Sequence, residues 1–235
     1  MGRITIIDCV QGSQEWLDAR KGLITCSNAM LLIEKGKRAC LIANEDAAER
    51  ITPNGNFYAE RGHALEHEIR EEFNAQLATQ GLELRESGIL LNSDFPDAGY
   101  STDGLVVPKN APAEHYLAII EIKAYNDVVE RTGELADIKR KLHEDEHIIG
   151  YDTVKKIAKV YVGKHAKACQ SYDNVPVVAQ AQIQMELLIS QAPKCYLILY
   201  NPDAEKNTPK TKSYLVYPDE KLQKILQKKL SQKLS

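Results

Sequence analysis

The chain has 235 residues, 43% of them hydrophobic and 27% charged, with a formal net charge of −3. This length and apolar content suffice for one substantial domain, which we expect to span residues 1–235. The small negative charge excludes a global positive field, so any nucleic-acid contact must come from a local basic patch. The five cysteines form no C-x-x-C pair, which argues against a disulfide framework or a zinc ribbon.

The sequence also bears on the compartment in which the protein works. Cysteines without a pairing pattern are typical of a reducing cytosol. The apolar run in MGRITIIDCVQG is too short for a signal peptide, and no segment approaches the roughly 18 apolar residues of a membrane span. We therefore expect a cytoplasmic protein with no membrane partner.

Helical patterns dominate the first third of the chain. Periodicity, capping residues and stop signals predict four helices, over residues 12–22, 25–36, 40–51 and roughly 58–79. The first begins at Ser13, and the second begins at Thr25 or Ser27. In the longest, apolar residues recur at every fourth position from Leu65 to Phe73, which predicts one buried face.

Beyond the long helix the apolar period changes to two, which predicts strands. Three strand candidates cover residues 84–91, 100–107 and 117–125. A lysine-rich helical insertion follows at about 127–168, and then a helix at 175–190, strands at 194–202 and 212–218, and a terminal amphipathic helix at about 218–235. This order predicts an α/β domain with a mixed central β-sheet flanked by helices.

One strand candidate carries charges where burial is expected. In IIEIKAY, residues 119–125, Glu121 and Lys123 interrupt an apolar run. Side chains alternate along a strand, so the two charges share one face while Ile120 and Ile122 point into the core. The pair is either a metal ligand beside its electrostatic partner or a plain ion pair.

Two further acids are candidates to join Glu121. Asp103 lies on the preceding predicted strand, so a hairpin would bring it to the same end of the sheet, and Glu66 lies on the long helix. Carboxylate oxygens are the ligands that Mg²⁺ or Mn²⁺ prefers, and such an ion activates water for attack on a phosphodiester. As alternatives, Glu66 could pair with Arg70 four residues later, and Asp103 could be a turn residue.

Five segments, in this order, resemble the phage lambda exonuclease and YqaJ-type viral recombinase family of PD-(D/E)XK nucleases. They are QGSQEWLDARKGLITCSNA, RGHALEHE, YSTDGLV, IIEIKAY and AQAQIQM, and they span residues 11 to about 185. Five ordered segments are far more specific than the D…E-x-K pattern alone. The resemblance implies a restriction-endonuclease-like core. It also implies a Mg²⁺-dependent 5′-to-3′ exonuclease on double-stranded DNA ends, with Mn²⁺ able to substitute, that leaves 3′ single-stranded tails.

The resemblance also implies roles for individual residues. The positions matched to the metal site are Glu66, Asp103, Glu121 and the carbonyl of Ile122. The positions matched to the pocket for the 5′-terminal phosphate are Arg20, Ser27 and Ser101. Lys123 matches the catalytic lysine, and Gln182 matches a glutamine that orients water or substrate. A ring-shaped homotrimer, a single-strand annealing protein as partner, and the cytoplasm of a bacterium or a phage-infected host are implied as well.

The chain departs from the family pattern in two places. The insertion is longer than the pattern, and its lysines, among them Lys155, Lys156 and Lys159, are expected to contact DNA. A further family acid upstream of the STDG segment matches either Asp94 or Asp97.

Other functions and structural readings stay open. The same core could belong to an endonuclease or a RecB-type repair nuclease, and a catalytically idle DNA-end-binding protein is a third hypothesis. Trp16 is expected to be a core residue. His63 and His67 lack a third soft ligand for zinc at suitable spacing, and the lysines of the terminal helix are expected to face solvent.

Overall fold

The structure is a computed structural model, and it describes residues 2–49, 57–124, 177–200 and 211–233. The predicted insertion at about 127–168, with Lys155, Lys156 and Lys159, lies outside the described residues. None of the helices in the described ranges is long and apolar enough to cross a membrane.

The described chain alternates helices and strands. The first half contains β1 (Ile4–Ile7), α1 (Gln14–Ala19), β2 (Ile24–Thr25), α2 (Ala29–Lys35), α3 (Lys37–Glu49) and α4 (Phe57–Ala78). Five strands follow: β3 (Leu82–Arg85), β4 (Ile89–Asn92), β5 (Ala98–Ser101), β6 (Gly104–Pro108) and β7 (Ala118–Ala124). The last part contains α5 (Val177–Ser190), β8 (Cys195–Tyr200), β9 (Thr211–Val216) and α6 (Glu220–Leu230).

The strands of the described residues form two sheets. One has four strands in the order β1-β4-β5-β2, and the other has five in the order β3-β6-β7-β8-β9. In the five-stranded sheet β6 and β7 are antiparallel, with Gly104 opposite Ile120, whereas β7 and β8 are parallel, with Ile119 opposite Cys195. These mixed sheets flanked by helices confirm the predicted α/β class.

Two of the predicted strands are wrong as single strands, because each crosses from one sheet to the other. Residues 84–91 divide between β3 and β4, and residues 100–107 divide between β5 and β6. At the second crossing the fully buried Thr102 hydroxyl donates to the Gly104 carbonyl at 2.9 Å and accepts from the Gly104 N–H at 3.1 Å. A Cβ at Gly104 would lie 2.6 Å from the side chain of Leu84, so a larger residue there would require the Leu84 side chain to shift.

The predicted helices are present with shifted ends. The Ser13 hydroxyl caps α1 by accepting from the Trp16 N–H at 3.2 Å. A 3₁₀ turn at Cys26–Asn28 precedes α2, so Thr25 and Ser27 both lie before the helix and neither caps it through its side chain. The sequence predicts neither β1 nor β2, because four and two residues are too few to show an alternating pattern.

Alternation along β7 divides the core into two clusters. Ile119 belongs to a cluster that includes residues of α2, α5 and α6. Ile120 and Ile122 belong to the other, where they pack with Ile69 of α4. Both faces of β7 are therefore covered, and Glu121, on the same face as Ile119, is only 4% exposed. The five-stranded sheet thus carries a charge into the interior beneath α5.

The terminal helix closes the first cluster. The Asp219 carboxylate caps α6 by accepting from the N–H groups of Lys221 and Leu222 at 2.9 and 3.0 Å. The apolar face of α6 is buried, and it consists of Leu222, Leu226 and Leu230. Lys221, Lys224 and Lys228 are exposed. The helix is thus amphipathic, with these three lysines on its exposed face.

Candidate active site

An acidic cluster lies where β6, β7 and α5 meet. Asp103 immediately precedes β6, and Glu121 lies on β7 just beyond the Gly104–Ile120 pair. Leu105 and Ile119, two residues along each strand, face the core side that α5 covers. Because side chains alternate, Asp103 and Glu121 project toward the same side. The structure therefore brings these two predicted acids together.

Glu121 is the centre of this cluster. The Lys123 Nζ lies 2.6 Å from Glu121 Oε1, and the Gln182 Nε2 donates to the same oxygen at 2.6 Å. The Glu121 side chain is 5% exposed, whereas the Lys123 side chain is 33% exposed. Lys123 therefore connects a buried carboxylate to an edge that solvent reaches.

The neighbouring carboxylates fix the protonation state of Lys123. Burial by itself lowers the pKa of the Lys123 ammonium, but Glu121, with Glu186 and Asp103, outweighs burial and raises that pKa above its ordinary value. The side chain is therefore an ammonium at neutral pH. In that state it cannot accept a proton, but it can stabilise negative charge that develops beside it.

The backbone holds Asp103 in place. Its Oδ2 accepts from the Ile122 N–H at 2.7 Å, and its carbonyl oxygen accepts from Arg70 Nε at 2.8 Å. Burial raises the pKa of the Asp103 carboxyl well above its ordinary value, and the charges of Glu121 and Glu66 raise it further, against the hydrogen bond from Ile122. The raised pKa therefore reports first the burial of this carboxylate and second the negative charge beside it.

The Ile122 peptide lies beyond the β6–β7 ladder. That ladder ends at the pair Gly104–Ile120. The Ile122 N–H points to Asp103, and in a strand the carbonyl of a residue points to the same side as its N–H. The Ile122 carbonyl therefore faces the space beside Asp103.

Glu66 is an outer member of the cluster. Arg70 Nη2 lies 3.8 Å from Glu66 Oε2, so the pairing expected as an alternative is present. Arg70 also contacts Glu86 at 3.2 Å. Because the Glu66 charge raises the pKa of Asp103, Glu66 also lies within electrostatic reach of the site. The two readings of Glu66 are compatible.

The structure adds a carboxylate that the sequence analysis does not single out. Glu186 of α5 is fully buried, and its Oε1 accepts from Gln182 Nε2 at 2.7 Å. Within the described residues its Oε2 has no hydrogen-bond partner. Burial raises the pKa of Glu186 well above its ordinary value, and the charge of Glu121 raises it further. A lone acid in the apolar run MELLIS, four residues after Gln182, is the signal that could have found it.

In residue type and charge, the cluster fits a divalent cation. Asp103 and Glu121, with Glu66 within electrostatic reach of Asp103, set hard oxygen-donor groups against the ammonium of Lys123. As they stand, no three His, Cys, Asp or Glu side chains of the described residues form a group that could hold an ion. Lys123 and Gln182 contact Glu121 Oε1 instead.

A second set of predicted residues forms a contiguous group, which we call the Arg20 group: Trp16, Arg20 and Ser101. The Arg20 guanidinium lies 4.0 Å from the centroid of the Trp16 ring, and the indole N–H donates to Ser101 Oγ at 2.9 Å. Trp16 is only half-buried and belongs to neither core cluster, so its prediction as a core residue is wrong. Its ring instead supports the guanidinium by stacking and cation–π attraction.

Ser27 lies in the turn next to Cys26. Its Oγ is 3.0 Å from Thr25 Oγ1. The buried Cys26 interacts electrostatically with Arg20. Burial, and then the charge of Glu186, raises the pKa of the Cys26 thiol well above its ordinary value. Ser101 of the Arg20 group ends β5 two residues before Asp103, so the two sets of predicted residues adjoin along the chain.

The candidates for a further upstream acid lie away from the cluster. Asp97 forms an ion pair with Lys37 at 2.7 Å, and Asp94 is exposed. Asp97 precedes β5 whereas Asp103 follows it, so the length of the strand separates them. Neither candidate joins the acidic cluster.

The two histidines of the long helix contribute no described contact to the cluster. The His67 side chain is 70% exposed, and its Nε2 lies 3.5 Å from Glu71 Oε1 on the same helix. His67 is therefore a surface residue. The side chain of His63 lies outside the described ones.

Comparison with known proteins places this arrangement in a family. The model of the YqaJ-like viral recombinase domain matches residues 15–193, which is most of the chain. The chain belongs to the YqaJ-like viral recombinase family. The matched range includes the acidic cluster and the whole Arg20 group. No curated protein sequence matches the chain significantly.

Two solved structures of one exonuclease show the same fold for this YqaJ-like chain. The alkaline exonuclease LHK-Exo from Laribacter hongkongensis is 18% identical, with a TM-score of 0.56 over 93% of this chain and 89% of that one. LHK-Exo in complex with dAMP is 18% identical over the same shares, with a TM-score of 0.55. A phage-related exonuclease from Haemophilus somnus 129PT is 13% identical, with a TM-score of 0.49 over 92% of this chain and 93% of that one. The likeness to LHK-Exo confirms the predicted restriction-endonuclease-like core.

We predict that Asp103→Asn raises the thermal unfolding midpoint in EDTA at about pH 7.5, by about 2–4 °C for each ~1 kcal/mol of relieved repulsion. An acid whose pKa is higher in the folded than in the unfolded protein destabilises the fold as pH rises through that interval, and the pKa of Asp103 is raised in this way. The gain should therefore vanish toward about pH 4, the ordinary carboxyl range. Asparagine keeps an acceptor for the Ile122 N–H.

Differential scanning fluorimetry between about pH 4 and 8 measures this effect. Asp8→Asn, at an exposed position, is the control for removing a negative charge elsewhere. An unchanged or lower midpoint for Asp103→Asn at about pH 7.5 would contradict the crowding of carboxylates in the cluster.

Proposed function

We propose that this protein is a divalent-metal-dependent deoxyribonuclease of the exonuclease type. It degrades one strand of double-stranded DNA in the 5′-to-3′ direction from 5′-phosphorylated ends and leaves 3′ single-stranded tails for phage-type recombination by strand annealing. The observation that carries the proposal is the Glu121–Lys123 pair on β7 beside Asp103, in a chain of the YqaJ-like viral recombinase family. That the similar solved structures are named exonucleases supports the same class.

Mg²⁺ is the proposed cofactor, and Mn²⁺ is expected to substitute for it. The residues proposed to hold it are Glu66, Asp103, Glu121 and the carbonyl of Ile122. When bound, the ion supplies polarisation of the phosphodiester and a water of lowered pKa. The charge balance of the cluster supports this, because the described carboxylates outnumber the Lys123 ammonium.

The side chains of the cluster have distinct proposed roles. Lys123, kept as an ammonium by its neighbours, stabilises the negative charge that develops on phosphorus. Its partly exposed position lets it reach a phosphodiester while it still contacts Glu121. Gln182, hydrogen-bonded to Glu121, orients the attacking water or the substrate.

The Arg20 group and Ser27 are proposed to bind the 5′-terminal phosphate. A guanidinium offers a planar fork of donors that suits phosphate, and stacking on Trp16 fixes its position. The indole in turn holds Ser101. Because Ser101 lies two residues before Asp103, we propose that a phosphate bound in this pocket leaves the next phosphodiester near Lys123.

Further proposals extend to DNA and protein partners. Lys155, Lys156 and Lys159 of the insertion are proposed to contact the DNA backbone. The family resemblance supports a homotrimeric ring around duplex DNA and a single-strand annealing protein as recipient of the 3′ tails. All these partners belong to one reaction, the conversion of a DNA end into a single strand ready for pairing.

Digestion of linear duplex DNA with 5′-phosphate ends, in Mg²⁺ or in EDTA, tests the proposed function. We expect Mg²⁺-dependent loss of label from the 5′ ends while the complementary 3′-ended strands persist, and we expect covalently closed circular duplex to resist. Asp103→Ala and Glu121→Ala should each lower the rate at least about 100-fold, because each removes an electrostatic group of the reaction centre. Glu220→Ala, at an exposed position of α6, is the control.

Other outcomes would contradict the proposal in recognisable ways. Cleavage of closed circles would indicate an endonuclease on the same core. Binding of ends without degradation under any metal condition would indicate an idle end-binding protein. Near-normal digestion by Glu121→Ala would refute the assignment of the metal site.

We predict that Arg20→Ala slows digestion of 5′-phosphorylated duplex by roughly 10- to 150-fold, the equivalent of about 1.5–3 kcal/mol for a charged hydrogen bond. On 5′-hydroxyl ends the change should have little effect, because the interaction it removes is not made there. The measurement is the ratio of initial rates on the two substrates at fixed salt.

Lys21→Ala is the matched control, because Lys21 follows Arg20 directly and its side chain is 75% exposed. It should preserve the preference for 5′-phosphate. Equal slowing of both substrates by Arg20→Ala would show that Arg20 is a general backbone contact or a folding residue.

A further inference from the structure

The amide group of Gln182 is held between two carboxylates. Its Nε2 lies 2.6 Å from Glu121 Oε1 and 2.7 Å from Glu186 Oε1. A primary amide nitrogen has two N–H donors, and here each is directed at a carboxylate oxygen. The carbonyl oxygen is then the remaining hydrogen-bonding atom of the Gln182 side chain.

The two carboxylates determine which way round the amide sits. The reversed orientation would place the Gln182 carbonyl oxygen against Glu121 Oε1, the acceptor that pairs with the Lys123 ammonium, where no hydrogen bond forms and the charges repel. Glu121 therefore excludes the reversed amide, and Glu186 provides the second acceptor for the observed orientation.

Of the two acceptors, Glu186 is the dedicated one. Glu121 Oε1 also contacts Lys123 at 2.6 Å, and Glu121 is a proposed metal ligand, so its oxygen has competing partners. Glu186 lies one helical turn from Gln182 on the same face of α5 and is fully buried. Within the described residues, Gln182 is its hydrogen-bond partner. When Glu121 turns to a cation or substrate, Glu186 still accepts from the amide.

Glu186 lies on the inner side of the cluster. Glu186 is fully buried, and within the described residues its Oε2 has no hydrogen-bond partner. Lys123, by contrast, is one-third exposed. A carboxylate in this inner position affects the reaction through a neighbouring side chain rather than by contact with DNA.

We infer that Glu186 is a positioning residue that holds the Gln182 amide in one orientation, with its N–H groups on the carboxylates and its carbonyl oxygen free to accept from the attacking water. The role of the water rests on the proposed function, whereas the orientation of the amide does not. Glu186 thereby fixes which end of the Gln182 amide faces the reaction centre.

Four variants and a matched control separate this role from general packing. Glu186→Gln keeps a neutral acceptor at the same place, and Glu186→Met keeps a side chain of similar length without it. Glu186→Asp keeps the charge but withdraws the acceptor by about 1.5 Å, one carbon–carbon bond. Gln182→Met removes the amide itself. Gln184→Met is the control on the same helix, because Gln184 is 3% exposed and bonds the Tyr217 carbonyl at 2.9 Å and the Asp219 N–H at 2.7 Å.

The first readout is the side-chain amide region of a ¹⁵N-resolved NMR spectrum of the full-length protein without metal. The Gln182 signals are those that disappear in Gln182→Met. We expect slow hydrogen exchange of both amide protons in wild type, Glu186→Gln and Gln184→Met, and at least tenfold faster exchange in Glu186→Met. Glu186→Asp should show the same loss, which provides the test if Glu186→Met does not fold. Unchanged exchange in the folded Glu186→Met or Glu186→Asp variant would overturn the inference.

The second readout is the kinetics of duplex digestion in Mg²⁺. Glu186→Met should lower kcat at least tenfold with KM for DNA within about twofold, and Glu186→Gln should remain within about threefold of wild type. Combined with Gln182→Met, Glu186→Met should cause no further loss, because both remove the same interaction. Multiplying losses would overturn the inference, as would loss of Mn²⁺ binding in Glu186→Gln, which would make Glu186 a ligand. Wild type that shows the exchange pattern but no digestion would refute the proposed function and leave the orientation of Gln182 established.

Discussion

The strand β7 carries Glu121 into an interior that is closed on both sides, since α4 packs on the face of Ile120 and Ile122 and α5 covers the other. A carboxylate in such surroundings costs several kcal/mol unless charge or hydrogen bonds compensate it. The compensation comes from Lys123 two residues along the strand and from Gln182 on the covering helix. This one buried charge depends on three features of the structure: the position of α5, the register of β6 against β7, and the protonation of Lys123.

The negative charges of the cluster are only partly compensated, so an excess of negative charge remains. Asp103 and Glu186 both have raised pKa values because they are buried near further negative charge. Such an arrangement weakens the fold at neutral pH, and strained electrostatics of this kind concentrate at functional sites. A divalent cation would relieve the same repulsion that the chain maintains. We regard the cost in stability and the affinity for a cation as two consequences of the same cluster.

The features of the fold and the site that depend on local geometry alone could be predicted from the sequence. The shared face of Glu121 and Lys123 follows from strand alternation, and the helices around Ser13 and Gln182 follow from capping and periodicity. The division into two sheets could not be predicted, because the crossing at Thr102 preserves the period-two pattern. The burial of Glu186 and the stacking of Trp16 on Arg20 could not be predicted either. Both depend on neighbours that are distant in sequence.

The central claim is that the cluster around Glu121 binds a divalent cation, and thermal unfolding with and without Mn²⁺ tests it most directly. A ligand that binds only the folded state at 100 times its dissociation constant adds about 2.7 kcal/mol of stability. The account predicts a rise of several degrees in the unfolding midpoint of the wild type. That rise should be lost in Glu121→Gln and retained in Glu220→Gln on the exposed face of α6. No rise in the wild type, or an equal rise in Glu121→Gln, would contradict it.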